Sequence, residues 1–216
     1  VINSIEIEEG KKLNIVKDKR KHWVAYGSSI TQCGAATSPA NIWTGVAARD
    51  LNLNLTSLGL GGQCHIDPLM AHTIRDLKAD FFSLKLGINI QGAASLNARS
   101  YRPAIIGIVK TIREKHPSAP ILLISPVCSP PRETNPNVVG MTLEIMREEM
   151  KDAYKRLKKV LNDENLFYLD GLKLADQSLA ENYMPDNLHP NGDGYMKMGK
   201  NFVKYLPKKI KENLFQ

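Results

Sequence analysis

The chain has 216 residues, 43% hydrophobic and 24% charged, enough for one α/β domain with a substantial core. No apolar run reaches the roughly 20 residues of a membrane span, and the acidic start Val1-Ile2-Asn3-Ser4-Ile5-Glu6-Ile7-Glu8-Glu9 is too poor in apolar length for a secretory signal. The net charge of +7 gathers in residues 11–21 and 204–211, without the interleaved aromatics of a base-stacking platform, so it argues for a solvated surface and against nucleic acid.

Residues 4–8 alternate like an edge strand, and residues 11–21 are heavily charged. Residues 1–22 therefore read as a lead-in, or as the tail of an upstream domain, and residues 23–216 as the main domain. Along that domain, apolar runs at 23–26, 54–58, 81–86, 121–125 and 166–169 suit short buried strands. Helical patterns fill the gaps at 41–51, 68–77, 103–115 and 143–161, and a last helix follows over 192–206. Pro103 suits a first turn, and His116-Pro117 ends that helix. Leu143, Met146, Met150, Tyr154, Leu157 and Leu161 form an apolar stripe, so the methionines read as core. Strand–helix alternation implies a parallel sheet covered on both faces.

Cys33, Cys64 and Cys128 are too few and too scattered for a disulfide framework or a zinc site. The expectation is free thiols in a reducing compartment, hence a cytoplasmic location, with a Cys33–Cys64 disulfide as the alternative.

Four short stretches carry the chemistry. Gly27-Ser28-Ser29-Ile30-Thr31 places hydroxyls at the end of the first strand, where ligands collect in open α/β sheets. Gly59-Leu60-Gly61-Gly62 follows the second strand and lets backbone N–H groups approach a ligand. It is neither a P-loop nor a dinucleotide fingerprint. Asn89 follows the third strand with an amide able to donate to a developing negative charge. Asp186-Asn187-Leu188-His189 precedes the last helix, and its spacing lets a carboxylate fold back on an imidazole. Each stretch has a plain reading as a turn. On one rim they supply a nucleophile, a base, a group that orients the base, and oxyanion donors.

These blocks resemble, in order, those of the SGNH hydrolase (GDSL-like esterase/lipase) superfamily, over almost the whole span 23–206. The resemblance implies a flavodoxin-like three-layer α/β/α sandwich with a five-stranded parallel sheet. It implies Ser29, Asp186 and His189 as the catalytic set, with Ser29, Gly62 and Asn89 forming the oxyanion hole. Ser28 stands where the family usually has Asp, and Ile90 where an Asp often follows the Asn. The wording of "YGSSIT", "LGLGGQCHIDP" and "SLKLGIN" is further similar to a subgroup with an upstream β-sandwich domain.

The function implied is a serine esterase acting on a small or short-chain acyl ester, on a carbohydrate or another small molecule, with neither metal nor organic cofactor. An acyltransferase using the same triad is the first alternative, and a non-catalytic binding domain with a vestigial site the second. Tyr26, Gln32, Cys33, Gln63, Cys64, His65, Ile90, Gln91, Cys128 and Leu188 are the candidates for shaping a substrate pocket. The oligomeric state is left open.

Overall fold

A computed structural model of the chain describes residues 3–14 and 17–215; the chain start at residues 1–2 lies outside this range. Five strands form one parallel sheet: β1 (His22–Ser28), β2 (Asn54–Leu60), β3 (Phe81–Lys85), β4 (Ile121–Ile124) and β5 (Leu166–Leu169). Their order is β2-β1-β3-β4-β5. The register pairs Trp23 with Leu55 and with Phe81, and Gly27 with Gly59 and with Lys85. Helices cover both faces, giving the three-layer α/β/α sandwich expected.

One layer holds α2 (Trp43–Asp50) packed on α8 (Gly192–Tyr205). In the other, α3 (Pro68–Asp76) packs on α5 (Ala98–Arg113), and α5 on α6 (Leu143–Leu161). Shorter helices are α1 (Ser29–Gln32), α4 (Ile88–Ala93), α7 (Gln177–Tyr183) and α9 (Lys208–Phe215).

The core explains the strand runs. β3 and β4 are buried at every residue, as central strands covered on both faces must be. Trp23 joins the sheet to the α2/α8 layer. Its ring stacks on Phe202 at 5.0 Å and 12°, on Phe81 at 5.8 Å, and meets Trp43 edge-on at 6.0 Å. Its indole N–H donates to Ser83 Oγ at 2.9 Å. Burying each of these aromatics contributes about 2–3 kcal/mol, before the added preference for such ring geometry.

The structure corrects three expectations. Residues 4–8 form no strand and are exposed; their one backbone hydrogen bond among the described residues is local, from Lys11 N–H to Glu8 O at 3.1 Å. The helix expected at 103–115 begins at Ala98 instead. Asn97 caps it, accepting from Ser100 N–H while Ser100 Oγ accepts from Asn97 N–H, and this reciprocal cap outweighs the missing N–H of Pro103 in the second turn. In α6, Met146, Met150 and Leu157 are core, but Leu161 faces solvent. All three cysteines are free and buried, so Cys33 and Cys64 form no disulfide. Burial pushes the Cys33 and Cys64 thiols up to about 12.

Gly59 fixes how α1 sits. A Cβ at residue 59 would fall 2.5 Å from Gln32 Cα and 2.6 Å from the Thr31 carbonyl carbon. These are backbone atoms and cannot step aside without moving α1. Gly59→Ala is therefore expected to destabilise the fold by roughly 2–3 kcal/mol, read from urea unfolding. A wild-type midpoint would show that α1 adjusts freely.

Lys85 carries no distinguishing signal in the sequence. It ends β3, is 2% exposed, and its ammonium has neither carboxylate nor hydrogen-bond acceptor among the described residues. Burial pushes it down to about 8, against the opposing pull of the Cys64 and Cys33 thiols. The folded state thus binds this proton less readily than the unfolded chain, so stability falls as pH drops from the ordinary lysine value of 10.5 to about 8, and the full cost remains below that. Lys85→Met is expected to raise stability at pH 7 by roughly 1–3 kcal/mol, the gain fading toward pH ~10. Urea midpoints at the two pH values measure this, and an equal gain at both would contradict it.

Candidate active site

The four stretches meet at the carboxyl edge of the sheet. β1 runs out at Ser28, which is buried and caps α1: its Oγ accepts from Ile30 N–H at 3.3 Å. The next residue, Ser29, opens α1 and turns its hydroxyl outward. Ser29 Oγ stands 2.8 Å from His189 Nε2. The two serines are thus physically distinct, one capping a helix and the other facing an imidazole.

His189 Nδ1 lies 2.6 Å from Asp186 Oδ2. An ionised carboxylate only accepts, so Nδ1 carries the proton and Nε2 offers its lone pair to the Ser29 hydroxyl. Asp186 Oδ1 also accepts from His189 N–H at 2.6 Å and Leu188 N–H at 3.0 Å. The loop closes on itself around the carboxylate, with Asn187 at φ +57°. Burial tends to raise the Asp186 carboxyl, but the donors of His189 and Leu188 outweigh it and hold the group at about 2. Its side chain is 53% exposed, which also favours the charged form.

Three donors lie idle around the serine. Among the described residues, the N–H groups of Ser29 and Gly62 and the Nδ2 of Asn89 have no acceptor. The Gly61-Gly62 turn runs beside Ser29, a Cβ at residue 61 falling 3.9 Å from Ser29 Cβ. Gly62 has φ +72°, which a glycine adopts without strain. Asn89 sits in α4, and its Oδ1 accepts from Cys64 N–H at 3.1 Å. This bond fixes the amide orientation and leaves Nδ2 free.

The pocket candidates divide. Gln32 and Gln63 are exposed and Leu188 is half-buried on the acid–base loop. The Gln32 carboxamide lies against Gly61, with Oε1 2.6 Å from where a Cβ there would be. Tyr26, Cys33, Cys64, Ile90 and Cys128 are core residues, each at most 3% exposed. Cys128 Sγ donates to Gln177 Oε1. Gln91 is buried, and its backbone carbonyl accepts from Asn137 Nδ2 at 2.7 Å.

His65 is occupied otherwise than as a ligand contact. Its Nε2 donates to Gly62 O at 3.0 Å and its Nδ1 meets Ser95 Oγ at 2.8 Å, bridging the Gly62 turn to the segment after α4. No cluster of metal-ligating side chains occurs among the described residues. Among the described residues, no helix is long and apolar enough to cross a membrane.

A serine hydroxyl, an imidazole and a carboxylate in line, beside unpartnered N–H donors, form an arrangement suited to acyl transfer. Comparison with known proteins supports this class. The model of the GDSL-like lipase/acylhydrolase family matches residues 20–207, and the chain belongs to that family, within the SGNH hydrolase superfamily. Among solved structures, a salicylyl-acyltransferase, SsfX3, from a tetracycline biosynthetic pathway is 31% identical with a TM-score of 0.82. The match covers 93% of this chain and 60% of that one. A Bacteroides ovatus protein named for its likeness to GDSL lipases is 25% identical with a TM-score of 0.73, over 89% of this chain and 54% of that one. A carbohydrate esterase family 2 enzyme with a carbohydrate-binding domain, from Corynascus thermopiles (Myceliophthora fergusii), shares the fold at 18% identity and a TM-score of 0.72, over 96% of this chain and 70% of that one. The chain thus spans little more than half the length of the first two. No curated protein matches the chain.

The low Asp186 pKa has a kinetic consequence. Asp186 stays ionised down to about pH 2 and adds no second limb in the working range. Any acid limb of kcat/KM between pH 4 and 8 is therefore expected to have unit slope, with no contribution from Asp186. Asp186→Asn should lower kcat by several orders of magnitude, about 10⁴-fold where the carboxylate is the only ring partner. A slope of two on the acid limb would refute this division of labour.

Proposed function

We propose that the protein is a serine esterase that cleaves small or short-chain acyl esters through an acyl-enzyme. The observation that carries this reading is the continuous chain Ser29 Oγ–His189 Nε2 and His189 Nδ1–Asp186 Oδ2, at 2.8 and 2.6 Å. In it, Ser29 Oγ attacks the ester carbonyl while His189 takes the hydroxyl proton and Asp186 balances the imidazolium. The N–H groups of Ser29 and Gly62 and the Asn89 amide receive the oxyanion, a contribution of about 10²–10³ in rate per donor. His189 then returns its proton to the leaving alcohol. Water, activated by the same ring, releases the acid and restores the serine. Neither metal nor organic cofactor takes part.

Acyl transfer to an alcohol other than water is the second reading, favoured by the likeness to the salicylyl-acyltransferase. The chemistry up to the acyl-enzyme is the same. A sugar acetate or another small-molecule ester is the expected substrate class, in keeping with a cytoplasmic protein that binds no nucleic acid.

A fluorophosphonate probe is expected to label one peptide, at Ser29, and Ser29→Ala to abolish labelling together with hydrolysis of p-nitrophenyl acetate. Label on Ser28 or on a cysteine would overturn the assignment. Adding alcohol acceptors and measuring new ester against free acid separates transfer from hydrolysis.

A further inference from the structure

Residues 184–190 carry His189 and Asp186 but form no helix or strand. Their internal bonds, from Asn187 N–H to Met184 O and from Leu188 and His189 N–H to Asp186, fix the shape of the loop and not its place. Apart from the Ser29–His189 contact, one hydrogen bond among the described residues ties this segment to a distant part of the chain. Ser129 Oγ donates to Asn187 O at 2.7 Å.

Ser129 is fully buried in the segment after β4, and it is itself braced. Its N–H donates to Glu133 Oε1 at 2.9 Å. Glu133 Oε2 pairs with Arg147 Nη2. Arg147 projects from α6, is 8% exposed, and donates through Nη1 to Pro126 O at 3.2 Å. Arg132 Nη1 donates to Ser129 Oγ at 3.0 Å. Because the hydroxyl oxygen accepts from a guanidinium, its own hydrogen is committed to the Asn187 carbonyl, and a charged donor strengthens the next bond in such a chain. The strut thus runs from α6 through Glu133 and Ser129 to a carbonyl two residues before His189.

We infer that Ser129 is a positioning residue for the acid–base loop, setting His189 at hydrogen-bond distance from Ser29. The inference rests on the esterase reading above. It differs from a purely structural role, in which the serine only satisfies a buried carbonyl. A structural role predicts lost stability with unchanged chemistry. A positioning role predicts lost chemistry in a folded protein, because misplacing a reacting group by about 1 Å costs on the order of 10²-fold in rate.

The test measures three quantities on each variant: the rate of fluorophosphonate labelling at Ser29, kcat and KM for p-nitrophenyl acetate, and the melting temperature. For Ser129→Ala the labelling rate and kcat are expected to fall about ten- to a hundredfold, with KM little changed and a cooperative melt retained. Ser129→Thr keeps the hydroxyl and should recover most of the rate. Arg132→Met leaves the serine but releases its hydroxyl, and should give a smaller loss in the same sense, including if Ser129→Ala fails to fold. Wild-type labelling in a folded Ser129→Ala, or in Arg132→Met should the first not fold, overturns the inference. So does a rate loss in Ser129→Ala that a folded Ser129→Thr shares in full. Wild-type protein that neither reacts with the probe nor turns over any ester overturns the esterase reading itself, and this inference with it.

Discussion

The close approach of α1 to the ends of β1 and β2 is the constraint on which the site depends. Two glycines paired across these strands, Gly27 and Gly59, leave room for α1 to lie on the sheet. A Cβ at residue 27 would fall 2.9 Å from Thr31 Cβ, and one at residue 59 would meet the backbone of Gln32. The direction of the Ser29 hydroxyl is therefore set by the sheet and not by a free loop. The other end of the Ser29–His189 contact is tied to the same strand. Asn191 caps α8 just after His189, its Oδ1 accepting from Gly194 N–H at 2.9 Å. Farther along α8, Phe202 stacks on Trp23 of β1. β1 thus holds the serine at its carboxyl end and the helix that follows the histidine through its first aromatic residue. Shifting β1 against its neighbours would move both together.

The idle donors depend on a second set of contacts, made between loops. The sheet order places β2 and β3 on either side of β1, so the Gly62 turn and α4 flank Ser29. Cys64 N–H and Asn89 Oδ1 join these two arms, and the His65 ring joins them again through Gly62 O and Ser95 Oγ. Two cross-links between otherwise separate loops make a rigid cradle, and rigidity is what lets a donor act on a charge that exists only in passing. The buried thiols of Cys33 and Cys64 stay protonated, since burial lifts them to about 12. The cradle therefore contains no competing thiolate.

Features with a strong local signal were legible in the sequence. The apolar runs gave all five strands to within two residues at either end, and the 3.6-residue stripe gave α6 with its exact bounds. The blocks around Ser29, Gly62, Asn89 and Asp186–His189 are short, but each follows a strand or precedes a helix, and that position brought them to one rim. What stayed hidden depends on distant partners. Lys85 reads as an ordinary strand residue until burial from both faces is known. "CSPPRE" reads as a proline-rich loop, and nothing local says that Ser129 reaches Asn187, 58 residues on. His65 next to Cys64 suggested a pocket residue, whereas its ring is spent on two loop contacts. The start of α5 was misplaced because Pro103 is a louder local signal than Asn97 and Ser100, although the cap decides. Residues 4–8 alternate like a strand, but alternation needs a neighbouring edge to become one, and none of the described residues supplies it.

The exposure of the acid–base loop bears on the fate of an acyl group carried by Ser29, as proposed. In many triads burial of the acid keeps water out. Here the Asp186 side chain is 53% and the His189 side chain 36% exposed. The carboxylate is held ionised by three N–H donors, against the small desolvation that burial imposes. Such a dyad works with its back to water, and it can serve whichever hydroxyl arrives at Nε2. The choice between hydrolysis and transfer then lies outside the triad, in how well the rim holds a second alcohol against bulk water. The exposed Gln32 carboxamide, lying against Gly61, borders the Ser29 side of that rim, Gln63 follows the Gly62 turn, and Leu188 lies on the His189 side. These positions, more than the catalytic set, are where an esterase and an acyltransferase of this family have physical reason to differ.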